Sequence, residues 1–210
     1  MILAIETATE VCSVALVHHG DVVSSRSVNE KNVHSERLLS LIDAVLVEAH
    51  KKPKDIEEIA VSIGPGSFTG LRIGLSTAKG FAMAVNIPIL AVPTLDGLAE
   101  EYRRTRSSVD EETFCALIDA KRSESFFAFY TISKNKIHRL TEYSITLKEE
   151  ILASATARNA KIDQPLCNAV SVGLYAETNK KELKVSDFSH LEPMYLREFV
   201  ATTPKKQLLH

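Results

Sequence analysis

The sequence predicts an α/β fold in which mixed β-sheets carry helices on their faces. The first observation is a series of three short strand-like segments near the beginning, separated by polar turns, which is typical of an antiparallel meander. The second is the alternation of helical periodicity with short apolar runs between residues 35 and 104, which indicates parallel strands joined by helices. The third is a new series of strand-like segments from Phe114 onward, which indicates a second, shorter unit.

The elements of the first half can be placed in order along the chain. They are strands at 2–7, 12–17 and 22–27, a helix at 35–50, a strand at 59–63, a helix at 71–85, a strand at 88–92 and a helix at 94–104. The first of these helices is amphipathic, with apolar residues recurring from Leu38 to Ala49. Thr94 is the predicted N-cap of the last one. The order predicts an antiparallel meander at one edge of a sheet that continues with parallel strands.

The hydrophilic stretch 105–113 is predicted to separate two domains, 1–104 and 105–210. The predicted elements of the second half are strands at 114–119, 126–132, 138–145 and 166–172, and a weak helix at 147–155. This order is similar to a shortened copy of the first half. Residues 192–197 hold three large side chains between polar flanks and are expected to dock back on the protein.

A glycine-rich turn lies between the strand at 59–63 and the helix at 71–85. It contains Gly64, Gly66, Ser67, Thr69 and Gly70, with Ser67 or Thr69 as the expected helix cap. Such a turn can form an anion site, because backbone N–H groups and the helix dipole both favour negative charge. Its spacing is neither that of the P-loop nor that of the dinucleotide fingerprint. A phosphate site and a purely structural turn therefore both remain open.

The helix that follows the turn is rich in small residues. Gly74, Ala78, Gly80 and Ala82 lie within it. A glycine inside an exposed helix costs about 1 kcal/mol relative to alanine. The cost is explained if another backbone packs closely, and that backbone belongs either to the sheet of the same chain or to a helix of a partner.

Other polar residues are weaker candidates for a site. Glu6 ends the first strand, where an acid binds a metal or phosphate in some α/β sheets, although a solvated acid at a turn is favoured. A charged cluster after the strand at 114–119 consists of Asp119, Lys121, Arg122 and Glu124. It is either a polar site in a cleft between domains or a solvated hairpin end. His34 lacks a second metal ligand one helical turn later, where the chain has Leu38.

The composition argues against several classes of protein. The net charge of −2 provides no global basic field for nucleic acid. Cys12, Cys115 and Cys167 are far apart and match neither a metal motif nor a disulfide framework, which indicates a reducing compartment. No signal peptide and no membrane-spanning stretch is recognised, so the sequence predicts a cytoplasmic protein without membrane association.

Six stretches, in order along most of the chain, are similar to a known family. They read ILAIETATEVCSVAL, HSERLLSLI, GPGSFTGLRIGLSTAKGFA, VPTLDGLA, LIDAKRSESFFAFY and EPMYLREFVATTPKK. The chain thereby resembles the TsaB (YeaZ-type) family, whose members are needed to make the threonylcarbamoyl group on adenosine in tRNA. The GPGSFTGLRIG stretch is the most specific of the six.

The resemblance implies a fold of the actin, sugar kinase and Hsp70 type. Such a fold has two related, ribonuclease H-like domains with mixed five-stranded sheets flanked by helices. The span 173–192 is shorter than is typical of the family. The second domain is therefore expected to be truncated, with one wall of any nucleotide cleft missing.

The resemblance also implies that the chain is not an enzyme on its own. In TsaD, the relative that carries out the transfer, a His-x-x-x-His motif binds the metal; here His34 matches the first histidine and Leu38 replaces the second. Superfamily relatives hold a hydrated magnesium with an aspartate where this chain has Glu6. The glycine-rich turn is accordingly interpreted as a vestigial phosphate loop. No catalytic residue, metal or firmly bound cofactor is expected.

The partners implied by the resemblance are TsaD and TsaE, with TsaE using ATP and with tRNA reached through the complex for transfer to adenosine 37. TsaB-like proteins pair with TsaD, or with a second copy of themselves, through the helices that correspond to 35–49 and 71–85. The residues expected at this interface are Leu38, Ile42, Val45, Leu71, Gly74, Leu75, Ala78 and Ala82.

Two other functions stay open from the sequence. A small ATP-dependent phosphotransferase of the sugar-kinase type would use the turn 64–70 for phosphate and Glu6 for magnesium. A metallopeptidase would need a zinc site, and the sequence offers no set of ligands for one.

Overall fold

The structure is a computed structural model that describes residues 1–29, 34–106, 111–163 and 165–196. Its strands are β1 (Ile2–Glu6), β2 (Cys12–His18), β3 (Asp21–Val28), β4 (Glu58–Gly64), β5 (Ile89–Pro93), β6 (Glu111–Lys121), β7 (Glu124–Ser133), β8 (Lys136–Arg139), β9 (Ser144–Leu147), β10 (Lys161–Asp163) and β11 (Lys184–Val185). Its helices are α1 (His34–Glu48), α2 (Phe68–Val85), α3 (Thr94–Arg104), α4 (Lys148–Ala157), α5 (Ala169–Thr178) and α6 (Lys180–Leu183). Within the described ranges, no helix is both long enough and apolar enough to cross a membrane.

The first sheet has six strands in the order β11-β5-β4-β1-β2-β3. β1 pairs antiparallel with β2 and parallel with β4, and β4 pairs parallel with β5. The predicted meander followed by parallel strands is therefore confirmed, and the short β11 adds a sixth strand to the five expected. α1 and α2 pack on one face of this sheet, whereas α3 and α5 pack on the other.

The second sheet has five strands, in the order β10-β6-β7-β8 with β9 also paired to β7. One face carries Cys115 and Phe129, which pack against Ile151 and Ala155 of α4. The mixed α/β architecture with two helix-flanked sheets is thus confirmed, and the short α4 covers a small second sheet. We call the six-stranded sheet with α1, α2, α3 and α5 the first lobe, and the five-stranded sheet with α4 the second lobe.

The prediction of a strand at 166–172 was wrong, because α5 begins inside this segment. Asn168 caps the helix by accepting a hydrogen bond from the Ser171 N–H at 3.1 Å. Val172 and Ala176 are fully buried on the face that packs against the first sheet. A short apolar run fits a strand and a buried helix equally well, so periodicity alone did not separate the two.

The last described part of the chain returns to the first lobe. α5 lies against β1 and β2, and its Gly173 fits there because a Cβ would collide with Val17 and lie 3.1 Å from Ala4. β11 pairs with β5 at the edge of the same sheet. Residues 169–185 therefore pack with the first lobe, although the sequence placed them in a second domain. The domain division at residue 105 stays a prediction.

A buried aspartate joins the two lobes. Asp96 on α3 accepts hydrogen bonds from the hydroxyls of Tyr130 (2.7 Å), Tyr143 (2.8 Å) and Tyr175 (3.0 Å). Tyr130 belongs to β7 of the second lobe, and Tyr175 belongs to α5 of the first. Burial raises the pKa of Asp96, although the three phenol donors act in the opposite direction. The cluster fixes α3 and α5 to the second sheet.

Candidate functional site

The glycine-rich turn connects β4 to α2, as the sequence predicts. Ser67 is the helix cap, because its side chain accepts a hydrogen bond from the Gly70 N–H at 3.3 Å. The connection between β1 and β2 lies against this turn, since Thr7 donates a hydrogen bond from Oγ1 to the Gly70 carbonyl at 2.8 Å. The Ser67 N–H donates to the Ala8 carbonyl at 2.7 Å. The turn is therefore held by its own chain on that side.

The glycines of the turn are required by contacts within the chain. A Cβ on Gly66 would overlap the Ala8 carbonyl, and a Cβ on Gly70 would overlap the Thr7 carbonyl. A Cβ on Gly64 would lie 2.5 Å from the Met194 carbonyl, and the Gly64 φ of +118° is one that L side chains rarely adopt. These contacts favour the structural interpretation of the turn. Phosphate binding stays a prediction.

Gly74 and Gly80, the two glycines beyond the first turn of α2, differ in their surroundings, and this difference predicts opposite effects of substitution. In Gly74→Ala, the new methyl group would overlap Thr7 Oγ1, so we expect a loss of about 1–3 kcal/mol of stability. In Gly80→Ala, the methyl group would meet nothing within 4 Å, so we expect a gain of up to about 1 kcal/mol from helix propensity. Urea unfolding of both variants measures this, and equal effects would contradict the assigned environments.

Glu6 is fully buried and engaged by its own chain. Its Oε1 accepts hydrogen bonds from the N–H groups of Ala8 (2.7 Å) and Thr9 (3.1 Å). Its Oε2 accepts from the Ser62 hydroxyl and from Cys167 Sγ, which lies 3.6 Å away. The favoured expectation of a solvated acid was wrong, because the buried carboxyl group joins the connection after β1, the strand β4 and the segment that precedes α5. Burial raises the pKa of Glu6 above its ordinary value of 4.5.

This raised pKa predicts a stability effect with a definite sign. As pH rises above 4.5, the unfolded chain loses the Glu6 proton while the folded chain retains it, so the free energy of unfolding falls until the folded pKa is passed. In Glu6→Gln this fall is expected to disappear, because the side chain cannot ionise and the Ser62 hydroxyl and Cys167 thiol can reverse their hydrogen-bond roles. Urea titrations between pH 4.5 and 7.5 test this, and parallel curves for both proteins would contradict it.

The residues expected at a partner interface are buried in the isolated chain, so they cannot contact a partner directly. They are Leu38, Ile42, Val45, Leu71, Gly74, Leu75, Ala78 and Ala82. The apolar stripe of each helix faces the chain's own core, so these side chains are not available at the surface as the sequence prediction required. Whether α1 and α2 bind a partner stays a prediction.

The outward faces of α1 and α2 carry apolar residues of their own. Leu39 and Val47 on α1 are 67% and 64% exposed, and Met83 on α2 is 73% exposed. Gly80 lies one helical turn before Met83, with open space above it. We call Leu39, Val47, Gly80 and Met83 the outer helical surface. It combines exposed aliphatic side chains with a glycine for which the described residues of the chain offer no packing reason.

A cleft of about 1770 Å³ separates the glycine-rich turn from the second lobe. His34 lies on its wall, where Nε2 is 3.2 Å from the Thr9 carbonyl, while Leu38 is buried in the core. Within the part of the chain that the structure describes, no three histidine, cysteine or carboxylate side chains form a group that could hold a metal ion.

The charged cluster predicted after the first strand of the second half lies at a hairpin end that also lines the cleft. Asp119 accepts hydrogen bonds from the backbone N–H of Lys121 at 2.9 Å and from its Nζ at 3.0 Å. Lys121, Arg122 and Ser123 all adopt positive φ values of 65°, 54° and 63°. The cluster was interpreted either as a polar site in a cleft or as a solvated hairpin end. The two coincide, because the hairpin end forms part of the cleft wall. Glu124 belongs to β7.

A group of side chains at the mouth of this cleft was not predicted from the sequence. The Arg72 guanidinium lies 3.9 Å from the centre of the Phe68 ring, and its Nε donates to the Tyr195 hydroxyl at 3.1 Å. The Phe68 and Tyr195 rings are 5.2 Å apart. The signal for Tyr195 in the sequence was the expected docking of residues 192–197, of which residue 197 lies outside the described residues. Within 192–196, the Met194 N–H donates a hydrogen bond to the Ile63 carbonyl at 2.6 Å.

The chain is similar in sequence to proteins of threonylcarbamoyladenosine biosynthesis. A family model described as TsaD, tRNA N6-adenosine threonylcarbamoyltransferase, matches residues 22–202. The chain is 36% identical to the tRNA threonylcarbamoyladenosine biosynthesis protein TsaB of Escherichia coli over 151 residues, which are 72% of this chain and 64% of that protein. It thus matches slightly less than two thirds of that relative. It is 32% identical to TsaB of Buchnera aphidicola from Acyrthosiphon pisum, with 77% of this chain and 71% of that protein covered.

Solved structures agree with this similarity. The structure titled YeaZ from Pseudomonas aeruginosa is 26% identical, covers 93% of this chain and 99% of its own, and superposes with a TM-score of 0.77. A second structure from the same organism, described as similar to peptidase YEAZ, is 27% identical with the same coverage and a TM-score of 0.80. The fold is thus similar to that of these two solved structures over 93% of the chain.

Proposed function

The chain belongs to the TsaB family, and on that premise we propose that it serves the biosynthesis of threonylcarbamoyladenosine in tRNA as a non-catalytic subunit. In this role it binds TsaD and, with TsaE, supports threonylcarbamoyl transfer by TsaD. The observation that carries the proposal is the outer helical surface. It consists of the exposed Leu39 and Val47 on α1 and the exposed Met83 and Gly80 on α2, the two helices through which the family pairs.

The composition of this surface suits a helix-to-helix contact. Three aliphatic side chains supply apolar area that is removed from water on association. Gly80 allows a second backbone to approach α2 closely, and the helix-propensity cost of about 1 kcal/mol is then offset by packing in the complex. A second copy of the chain fits the same surface, so a homodimer and the complex with TsaD would compete.

The proposed absence of catalysis is supported by the surroundings of the residues that a metal or phosphate site would need. Leu38 stands in the core where a second histidine ligand would be needed. The glycine-rich turn is packed against the carbonyls of Thr7 and Ala8. The Glu6 carboxyl group is buried and accepts hydrogen bonds from its own chain, so it is not positioned to hold a hydrated magnesium ion.

Light scattering of the chain, alone and mixed with TsaD from the same organism, tests the proposal. We expect a stable heterodimer, formed at the expense of any homodimer. If the chain forms no complex with TsaD, the proposal is contradicted. Calorimetry with ATP and magnesium addresses the phosphotransferase alternative, since binding and turnover by the chain alone would favour that alternative instead.

A further inference from the structure

The mouth of the cleft carries an exposed group of two aromatic rings and a guanidinium, which we call the aromatic patch: Phe68, Arg72 and Tyr195. The Phe68 and Tyr195 side chains are 38% and 42% exposed, although large aromatic side chains usually bury their rings. Arg72 holds the two together through its contact with the Phe68 ring and its hydrogen bond to Tyr195. Such a patch offers flat surface and positive charge together, which suits stacking of a planar base.

The opposite wall of the cleft adds further positive charge. The hairpin end of the second lobe exposes Lys121 and Arg122 towards solvent beside the cleft. Three successive left-handed residues, none of them glycine, form this end, and such conformations cost about 1–3 kcal/mol each. Two carboxylates, Glu10 and Asp119, also line the cleft, and Asp119 is engaged by Lys121. The chain thus maintains a costly hairpin that presents cations at this wall.

The cleft has room for a ligand larger than a nucleotide. Its volume of about 1770 Å³ exceeds the roughly 300–1,000 Å³ of pockets that enclose small molecules. The glycine-rich turn, where a free nucleotide would place its phosphates, is packed against Ala8 and Met194. A ligand that combines unstacked bases with phosphates and is larger than a nucleotide fits these features best, and a single-stranded RNA loop has that chemistry.

We propose that this cleft binds a single-stranded RNA loop directly, with a base stacked on the aromatic patch and phosphates close to Arg72 and Arg122. The inference rests on the proposed function, which supplies an RNA substrate to the complex. It goes further in giving this chain a direct contact with that RNA, in addition to its contact with TsaD.

The test is fluorescence anisotropy with a labelled RNA hairpin that carries an unpaired loop, titrated with the complex of this chain and TsaD. Tyr195→Leu is expected to weaken binding about tenfold, because it removes a stacking ring. Arg122→Gln is expected to weaken binding and to reduce the slope of log affinity against log salt by about 0.7, as for one lost phosphate contact. The matched control is Lys54→Gln, at an exposed lysine outside the cleft.

Several outcomes would overturn the inference. One is that the complex binds a fully paired RNA duplex as tightly as the RNA loop. A second is that both cleft variants bind the loop as tightly as the unaltered chain, and a third is that ATP alone displaces the RNA. A fourth is that the variants lose binding to TsaD or TsaE while their RNA binding is unchanged. TsaD association is measured in parallel for the unaltered chain. If that association is absent, the proposed function fails; if it is present while the cleft variants bind RNA normally, only the present inference fails.

Discussion

Replacing Met83 with glutamate is expected to abolish the association of this chain with TsaD while leaving its fold intact. Met83 is 73% exposed, so the new carboxylate stays in water in the isolated chain. In a close helix interface it would be buried without a partner, which costs several kcal/mol. We expect the Kd to rise at least about a hundredfold, or roughly 3 kcal/mol. Light scattering and calorimetry measure the association, and thermal unfolding checks the fold.

The matched control is Leu152→Glu, which places the same charge at a 46% exposed leucine on α4 of the second lobe. This variant is expected to bind TsaD normally. Charged replacements of Leu71 or Leu75 are unsuitable, because both side chains are buried and their substitution would unfold the protein. If Met83→Glu binds TsaD as tightly as the unaltered chain, the outer helical surface is not the interface.

The largest expected loss of stability comes from Asp96→Ala at the junction of the two lobes. The substitution removes the acceptor of three phenol hydroxyls at once. Tyr130 is 1% exposed and cannot reach water in the folded chain, so its hydroxyl is left without that partner. Because each unsatisfied buried group costs about 1–3 kcal/mol, we expect a loss of about 3–5 kcal/mol in the free energy of unfolding. Urea unfolding at neutral pH gives this value.

Two variants separate the lost hydrogen bonds from other effects of the substitution. Asp96→Asn keeps the shape and one acceptor oxygen, so a smaller loss of about 1–2 kcal/mol is expected. Asp43→Ala alters an exposed aspartate on α1 and is expected to change stability by less than about 0.5 kcal/mol. A cost for Asp96→Ala no larger than that of Asp43→Ala would show that the cluster does not hold the lobes together.

The elements that the sequence predicted correctly are those with a strong local pattern. β1 to β5 and α1 to α3 follow from short apolar runs and helical apolar repeats together with turn residues. Ser67 is one of the two helix caps that the sequence offered for α2. The prediction of Thr94 as the cap of α3 was wrong, because Thr94 is the first helical residue and Pro93 occupies the cap position. α5 was missed because a short run of small apolar residues fits either element. The family stretches, GPGSFTGLRIG above all, predicted the fold class and the pathway without any contact being known.

Only the tertiary structure decided which face of each helix or strand packs in the core and which is exposed. An apolar stripe shows that a helix is amphipathic, but not whether it meets its own sheet or a partner, and the structure shows that the predicted interface residues face the sheet while Met83 and Gly80 are exposed. The roles of Glu6 and of the glycines likewise depend on Thr7, Ala8 and other residues brought to them by sheet pairing. Local periodicity is a property of the sequence, whereas contacts between residues distant in the chain exist only once it has folded.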